Sequence, residues 1–169
     1  MDKIIQKLTL QPQTKEELRD LIWAEMKKKG NRCDLNYIDT SLITDFNCLF
    51  QHSKFNGNIS GWNVSGVTDM DGMFLKSKFN GDISKWDVSN VLDMREMFYG
   101  SKFNQDISAW SISLNSRREH MFLRSALSEL LGVENPSFEQ VKSHYLNLKL
   151  EAELQTASPR QSNVFKVRL

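Results

Sequence analysis

Cysteine is nearly absent from this chain, and so are the other residues that announce a stapled, metal-bound or catalytic domain. Cys33 and Cys48 are the only two thiols among 169 residues, and neither has a cysteine or histidine partner at metal-ligand spacing. That excludes a disulfide framework or a zinc module and leaves two free thiols suited to a reducing compartment. The three histidines, His52, His120 and His144, sit in unrelated positions with no serine, cysteine or carboxylate motif around them. No glycine-rich phosphate loop of the Walker or dinucleotide type is present, so no cofactor is expected. No run approaches the roughly 18 apolar residues of a membrane span. The opening MDKIIQKLTLQPQ has too short and broken an apolar segment for a secretory leader. Neither charge dominates, with 22 basic against 21 acidic side chains, and a net charge of +1 argues against a general nucleic-acid binder. These absences predict a cytoplasmic monomer that holds no metal and touches neither nucleic acid nor membrane.

What the chain does hold is a repeat. Phe79 to Lys102 reads FNGDISKWDVSNVLDMREMFYGSK, and Phe55 to Lys78 (FNGNISGWNVSGVTDMDGMFLKSK) aligns with it without a gap. Phe103 to Ala126 (FNQDISAWSISLNSRREHMFLRSA) follows at the same 24-residue step. Asn31 to Lys54 is a degraded copy, in which Leu35 stands where Ile59, Ile83 and Ile107 stand, Ile38 replaces the Trp, and Leu49-Phe50 replaces Met-Phe. A fixed period of this length marks units too small to bury their own apolar faces, which stack on their neighbours instead.

Ile83, Trp86 and Val88 lie in a β-favouring run, whereas Val91, Met94 and Met97-Phe98 recur at helical spacing. Asp45, Asp69 and Asp93 each precede an apolar start by one residue and suit a helix N-terminus. The pattern predicts a unit of strand, turn, short helix, turn, and hence an α/β repeat solenoid of four units with helical caps at both ends. With strands about 4.8 Å apart, like residues lie above like. Phe55, Phe79 and Phe103 then form one buried column and Trp62, Trp86 and Trp110 another, while Asn56, Asn80 and Asn104 satisfy turn backbone groups within the stack.

These residues carry a resemblance. The signature FNxDISxWDVSNVxDMxxMF, spread over about Leu35 to Phe122, resembles the BspA-like repeats of bacteria, leucine-rich-repeat relatives common in surface proteins and often linked to protein binding. The resemblance implies a repeat scaffold and supplies no catalytic set. The chain departs from it at both ends: the first unit lacks the Phe-Asn and the Trp, and the last has Arg117-Arg118 in place of Asp-Met.

Residues 1–30 read as an N-terminal helical cap, 31–126 as the four-unit body, and 127–169 as a C-terminal helical cap with a basic tail, all one domain. Thr14, with Glu17 three residues on, opens the first helix, and Gly30 closes it; Leu18, Leu21, Ile22 and Met26 mark its apolar face. After Arg117 a helical pattern appears, with Met121, Phe122, Leu127, Leu130 and Leu131 apolar and Gly132 as its stop. A further helix from Ser137 to about Gln155 has Phe138, Val141, Tyr145, Leu148 and Ala152 on one stripe. A second set, Leu146, Leu150 and Leu154, is expected to pack on the side of the stack in preference to a partner. The tail from Thr156 carries Arg160, Lys166 and Arg168 with no acid, and is read as mobile or as an added edge strand.

Two kinds of site can be drawn from the columns. Asp69 and Asp93 on successive turns would lie roughly 5 Å apart, near the carboxylate separation of retaining glycosidases. Their helix-start role and the lack of a third partner at the same position weigh against catalysis. Lys54, Lys78 and Lys102 form a basic column, and Asp34, Asp82 and Asp106, with Asn58 between, an acidic one. Both are candidate protein-binding residues, and the plainer reading is a solvated face that discourages aggregation. The function expected is non-enzymatic binding of another protein, by a small cytoplasmic inhibitor of immunity or phage type that neutralises its partner. The alternatives are a surface adhesion module of BspA-like type and a carbohydrate-active enzyme using Asp69 and Asp93.

Overall fold

The computed structural model describes residues 10–157. Residues 1–9 of the N-terminal cap, and the tail from 158 onward with Arg160, Lys166 and Arg168, lie outside the described residues. The 24-residue step is visible in the backbone. Asp45, Asp69, Asp93 and Arg117 form a file of isolated parallel bridges, each to the residue one repeat on. Beside that file the amides of Phe46, Cys48, Phe50 and His52 donate to the carbonyls of Asp69, Asp71, Met73 and Leu75 at 2.8–2.9 Å. The same four rungs recur from Met70, Gly72, Phe74 and Lys76 to Asp93, Arg95, Met97 and Tyr99, and again one repeat further. Coils 31–54, 55–78, 79–102 and 103–126 thus stack in register.

The expected α/β class is nevertheless overturned. Among the described residues there is no strand and no sheet, only isolated bridges. The helices α1 (Lys15–Lys29), α2 (Ala126–Leu131) and α3 (Phe138–Ala157) lie at the two ends of the stack, and none lies inside a coil. Each coil is built from i→i+3 turns instead. In the third coil these close Ile83 onto Trp86 (3.1 Å), Val88 onto Val91 (3.1 Å), Met94 onto Met97 (3.3 Å), Glu96 onto Tyr99 (2.9 Å) and Phe98 onto Ser101 (3.0 Å). Residues three apart share a side in a turn as they do in a helix, so the apolar spacing reports corners.

A helix cannot propagate through these corners because two residues per coil are left-handed. Cys48, Gly72, Glu96 and His120 have φ between 52° and 58°, and His52, Lys76, Gly100 and Arg124, four residues on, have φ between 51° and 59°. That conformation costs a residue with a Cβ about 1–2 kcal/mol, a cost offset here by the inter-coil rungs made on either side. Short side chains fix the remaining bends. Asp45, Asp69 and Asp93, expected to start helices, accept instead from the amides of Asn47, Asp71 and Arg95 two residues on, at 2.7, 2.9 and 3.2 Å. The hydroxyls of Ser53, Ser77 and Ser101 do the same for the amides of Phe55, Phe79 and Phe103.

Inside the stack run aromatic columns. Phe50, Phe74, Phe98 and Phe122 lie 5.5–5.7 Å apart between centroids with nearly parallel planes, and Phe55, Phe79 and Phe103 form a second file at 6.1–6.3 Å. Trp62, Trp86 and Trp110 are buried beside them. Each indole N–H donates to a carbonyl of the preceding coil, that of Leu35, Ile59 or Ile83, at 3.0–3.2 Å. The Trp column is therefore core and inter-coil tie at once. The asparagine column is also structural: Asn56 and Asn80 each accept the amide of the next asparagine in the file at 2.8 Å.

At one end α1 starts after Thr14, whose hydroxyl accepts the Glu17 amide, and stops at Gly30, which donates back to Met26. It turns Leu18, Ile22 and Met26 into the core of the first coil, and Lys15 reaches Asp45 at 2.6 Å. At the other end the helical pattern expected after Arg117 begins only at Ala126, because His120 and Arg124 continue the left-handed corners of a fourth coil. Ser137 and Gln140 then exchange hydrogen bonds to start α3. Phe138, Val141 and Tyr145 close onto the fourth coil. Leu146, Leu150 and Leu154 do not: all three are exposed, so the expected packing of this second apolar set on the stack does not occur, and Leu148, expected on the stripe with Phe138, Val141 and Tyr145, is exposed too.

Candidate functional site

The lysine column stands on the edge of the stack where the backbone leaves the second left-handed corner. Ser53, Ser77 and Ser101 turn inward and are buried, while Lys54, Lys78 and Lys102 after them point out and are exposed. The amides of Lys78 and Lys102 donate to the carbonyls of Ser53 and Ser77 at 2.9 and 3.1 Å, which holds the three lysines one rung apart on a fixed line. Among the described residues none of the three makes an ion pair.

The acidic column is used differently. Asp34, Asn58, Asp82 and Asp106 each accept the amide two residues on, from Asn36, Ser60, Ser84 and Ser108, at 2.8–3.1 Å. The Ser84 amide bonded to Asp82 holds its carboxyl below the usual carboxylate range. Asp106 also receives Lys149 of α3 at 2.7 Å. Burial opposes its ionisation, but the bonds from Lys149 and Ser108 outweigh it and hold that carboxyl low as well. These carboxylates are turn locks and an anchor for α3. Because Asn58 fills the same place in the second coil, Asp82→Asn is expected to leave the thermal midpoint nearly unchanged. Asp82→Ala, which leaves the Ser84 amide unmet, is expected to cost about 1 kcal/mol in denaturant melts.

Asp69 and Asp93 are brought together as bridge partners, but Asp93 is not free. The Arg95 guanidinium grips it with contacts of 2.8–3.2 Å, and Arg117 pairs with it from the next coil. Burial opposes ionisation of Asp93, and the Arg95 hydrogen bonds with the Arg95 and Arg117 charges override it and lower its pKa. A retaining pair needs one carboxyl as acid and the other as an open nucleophile. Asp93 is shifted away from the acid role, and both of its oxygens are occupied by Arg95, with Arg117 also on Oδ2, so neither is open to attack.

Sequence reasoning missed the cluster to which Asp93 belongs. Asp71, Arg95, Glu96, Arg117, Glu119 and His120 line a depression of about 380 Å³, and burial together with the neighbouring Asp93 charge raises the Asp71 carboxyl. Its signal was the file Asn47, Asp71, Arg95, Glu119, which changes character at every step and so escapes a search for like residues. Here both arginines are engaged by acids, Arg95 by Asp71 and Asp93 and Arg117 by Asp93. Among the described residues the lysine file makes no ion pair at all.

A stack of turn-built coils closed by helices, with a basic edge that makes no ion pair among the described residues, defines a repeat scaffold. A family model described as "Mycoplasma protein of unknown function, DUF285" matches residues 20–130, and the chain belongs to that family. The match runs from within α1 to within α2; it takes in all four coils and leaves α3 outside. No curated protein and no solved structure matches the chain at a significant level.

Proposed function

We propose that the chain is a non-enzymatic protein-binding repeat protein, and that Lys54, Lys78 and Lys102 are its recognition edge for an acidic strip on the partner. The observation that carries this reading is the contrast between the two charged columns. The aspartates are engaged by their own turns and by Lys149, whereas the lysines are exposed and without ion pairs among the described residues. Three like charges held on a rigid line add their fields, which favours steering of an oppositely charged surface. The FNxDISxWDVSNVxDMxxMF unit supports kinship with BspA-like repeats, for which protein binding is the common theme. The narrower reading is a cytoplasmic inhibitor of immunity or phage type, which acts by covering its partner. Against a carbohydrate-active reading through Asp69 and Asp93 weighs the pairing of Asp93 with two guanidinium groups.

Affinity capture from cells of the source organism tests this. The wild-type chain is expected to retain a stoichiometric acidic protein that a chain with Lys54→Glu, Lys78→Glu and Lys102→Glu loses, with unchanged thermal midpoints. Equal capture by both chains would remove the lysine edge from the account.

A further inference from the structure

We propose that the leucine face of α3 pairs with the same face of a second copy, the two α3 helices running antiparallel. Leu146, Leu150 and Leu154 recur every four residues on one side of α3 and are 47, 55 and 61 % exposed. At about 100° per residue, that side is turned away from the one by which Phe138, Val141 and Tyr145 meet the fourth coil. Among the described residues nothing covers it, and every side chain from 146 to 156 is exposed. A helical stretch of this length without tertiary contacts is marginal in water, so covering the leucines stabilises the helix as well as removing apolar surface.

The flanking charges select the occupant. Glu139 and Lys149 are already engaged, with Arg118 and Asp106. Lys142, half-exposed on the N-terminal half of α3 with its ammonium 6.0 Å from the Phe138 ring centroid, and Glu153, on its C-terminal half, border the same edge of the leucine face and make no ion pair among the described residues. A two-fold axis crossing α3 near Leu148 sets Leu146 against Leu150 of the second copy, and brings Lys142 to Glu153 of the second copy, each twice by symmetry. The Lys142 stem then covers Leu154. A parallel pair would instead set this edge against the opposite edge of the second copy, where Glu151 lies, leaving Lys142 without an acid and Glu153 beside a like charge. The surface is thus self-complementary in charge in the antiparallel sense alone, and it departs from the monomer that the composition predicts. In the dimer the two lysine edges belong to one particle.

Sedimentation equilibrium of the full chain tests the pairing. A reversible dimer is expected, with a dissociation constant on the order of 10–100 µM, as suits a small interface. Leu150→Asp, at an exposed position, should weaken it at least about tenfold with the thermal midpoint of the monomer unchanged. Lys142→Glu and Glu153→Lys should each weaken it roughly three- to tenfold, and the two together should restore it to within about threefold. A wild-type chain that stays monomeric to about 1 mM overturns the proposal. So does a dimer indifferent to these four variants. A full chain that is monomeric, beside a chain ending at Ala157 that dimerises, would also overturn it and would assign the face to residues 158–169 instead.

Discussion

Trp86→Ala is expected to lower stability by about 3–5 kcal/mol, the range for truncating a buried aromatic. The indole is 4 % exposed and lies 6.4 Å from Phe74 between ring centroids. Two losses combine. The cavity opens in the middle of the aromatic columns, where coils above and below prevent collapse onto it. The Ile59 carbonyl, which accepts the indole N–H at 3.2 Å, is left without that partner in the interior. Trp86→Phe keeps most of the volume and loses only the hydrogen bond and part of the ring, so it should cost roughly half as much. Denaturant melts of the three chains separate these contributions. A loss under about 1 kcal/mol for Trp86→Ala would mean that the Trp file is not the tie between coils that its geometry indicates.

Gly57→Ala should be at least as damaging. A Cβ on Gly57 would stand 2.0 Å from the Cys33 carbonyl oxygen and 2.8 Å from the Phe55 ring. That carbonyl accepts the Asn58 amide at 3.1 Å, so moving it away breaks a rung between the first two coils. The backbone cannot give without unstacking, and a loss of at least about 3 kcal/mol is expected, at the upper end for overpacking. Gly81→Ala provides the graded comparison. There the nearest backbone atom is the Gly57 oxygen at 3.1 Å, and the closest contacts, at 2.9 Å, are with the Phe79 ring. A shift of that ring absorbs the methyl, at about 1–3 kcal/mol. Equal melts for the two variants would contradict the register of the first two coils.

The stack was legible in the sequence because its strongest residues are also its most repetitive. Phe79, Trp86 and Asn80 announce their columns by recurring every 24 residues, and all three files are found. The local conformation was not legible. Met94 and Met97 are three apart whether they sit on a helix or at the corners of a turn. What decides between the two is the left-handed residue between them, Glu96, whose side chain gives no sign of its φ of 52°. The lysine edge could be read as exposed, since Lys54, Lys78 and Lys102 each follow a serine that turns inward. The turn role of the acidic column was legible too, since an aspartate or asparagine followed two residues later by serine, at Asn58, Asp82 and Asp106, is a turn signature. The open leucine face of α3 depends on where the fourth coil ends and how far the helix outruns it, which no periodicity within α3 records.

Association kinetics against the captured partner, at low and at physiological salt, test the central claim most directly. Charges on the rim of an interface act on the association rate, and their reach is screened to about 8 Å at physiological ionic strength. The wild-type chain is expected to associate at least about tenfold faster at low salt. The chain with Lys54→Glu, Lys78→Glu and Lys102→Glu should associate slowly and lose that acceleration, with a thermal midpoint that stays put because exposed lysines contribute little to folding. Identical rates and identical salt dependence in two equally stable chains would contradict the lysine edge as the binding site.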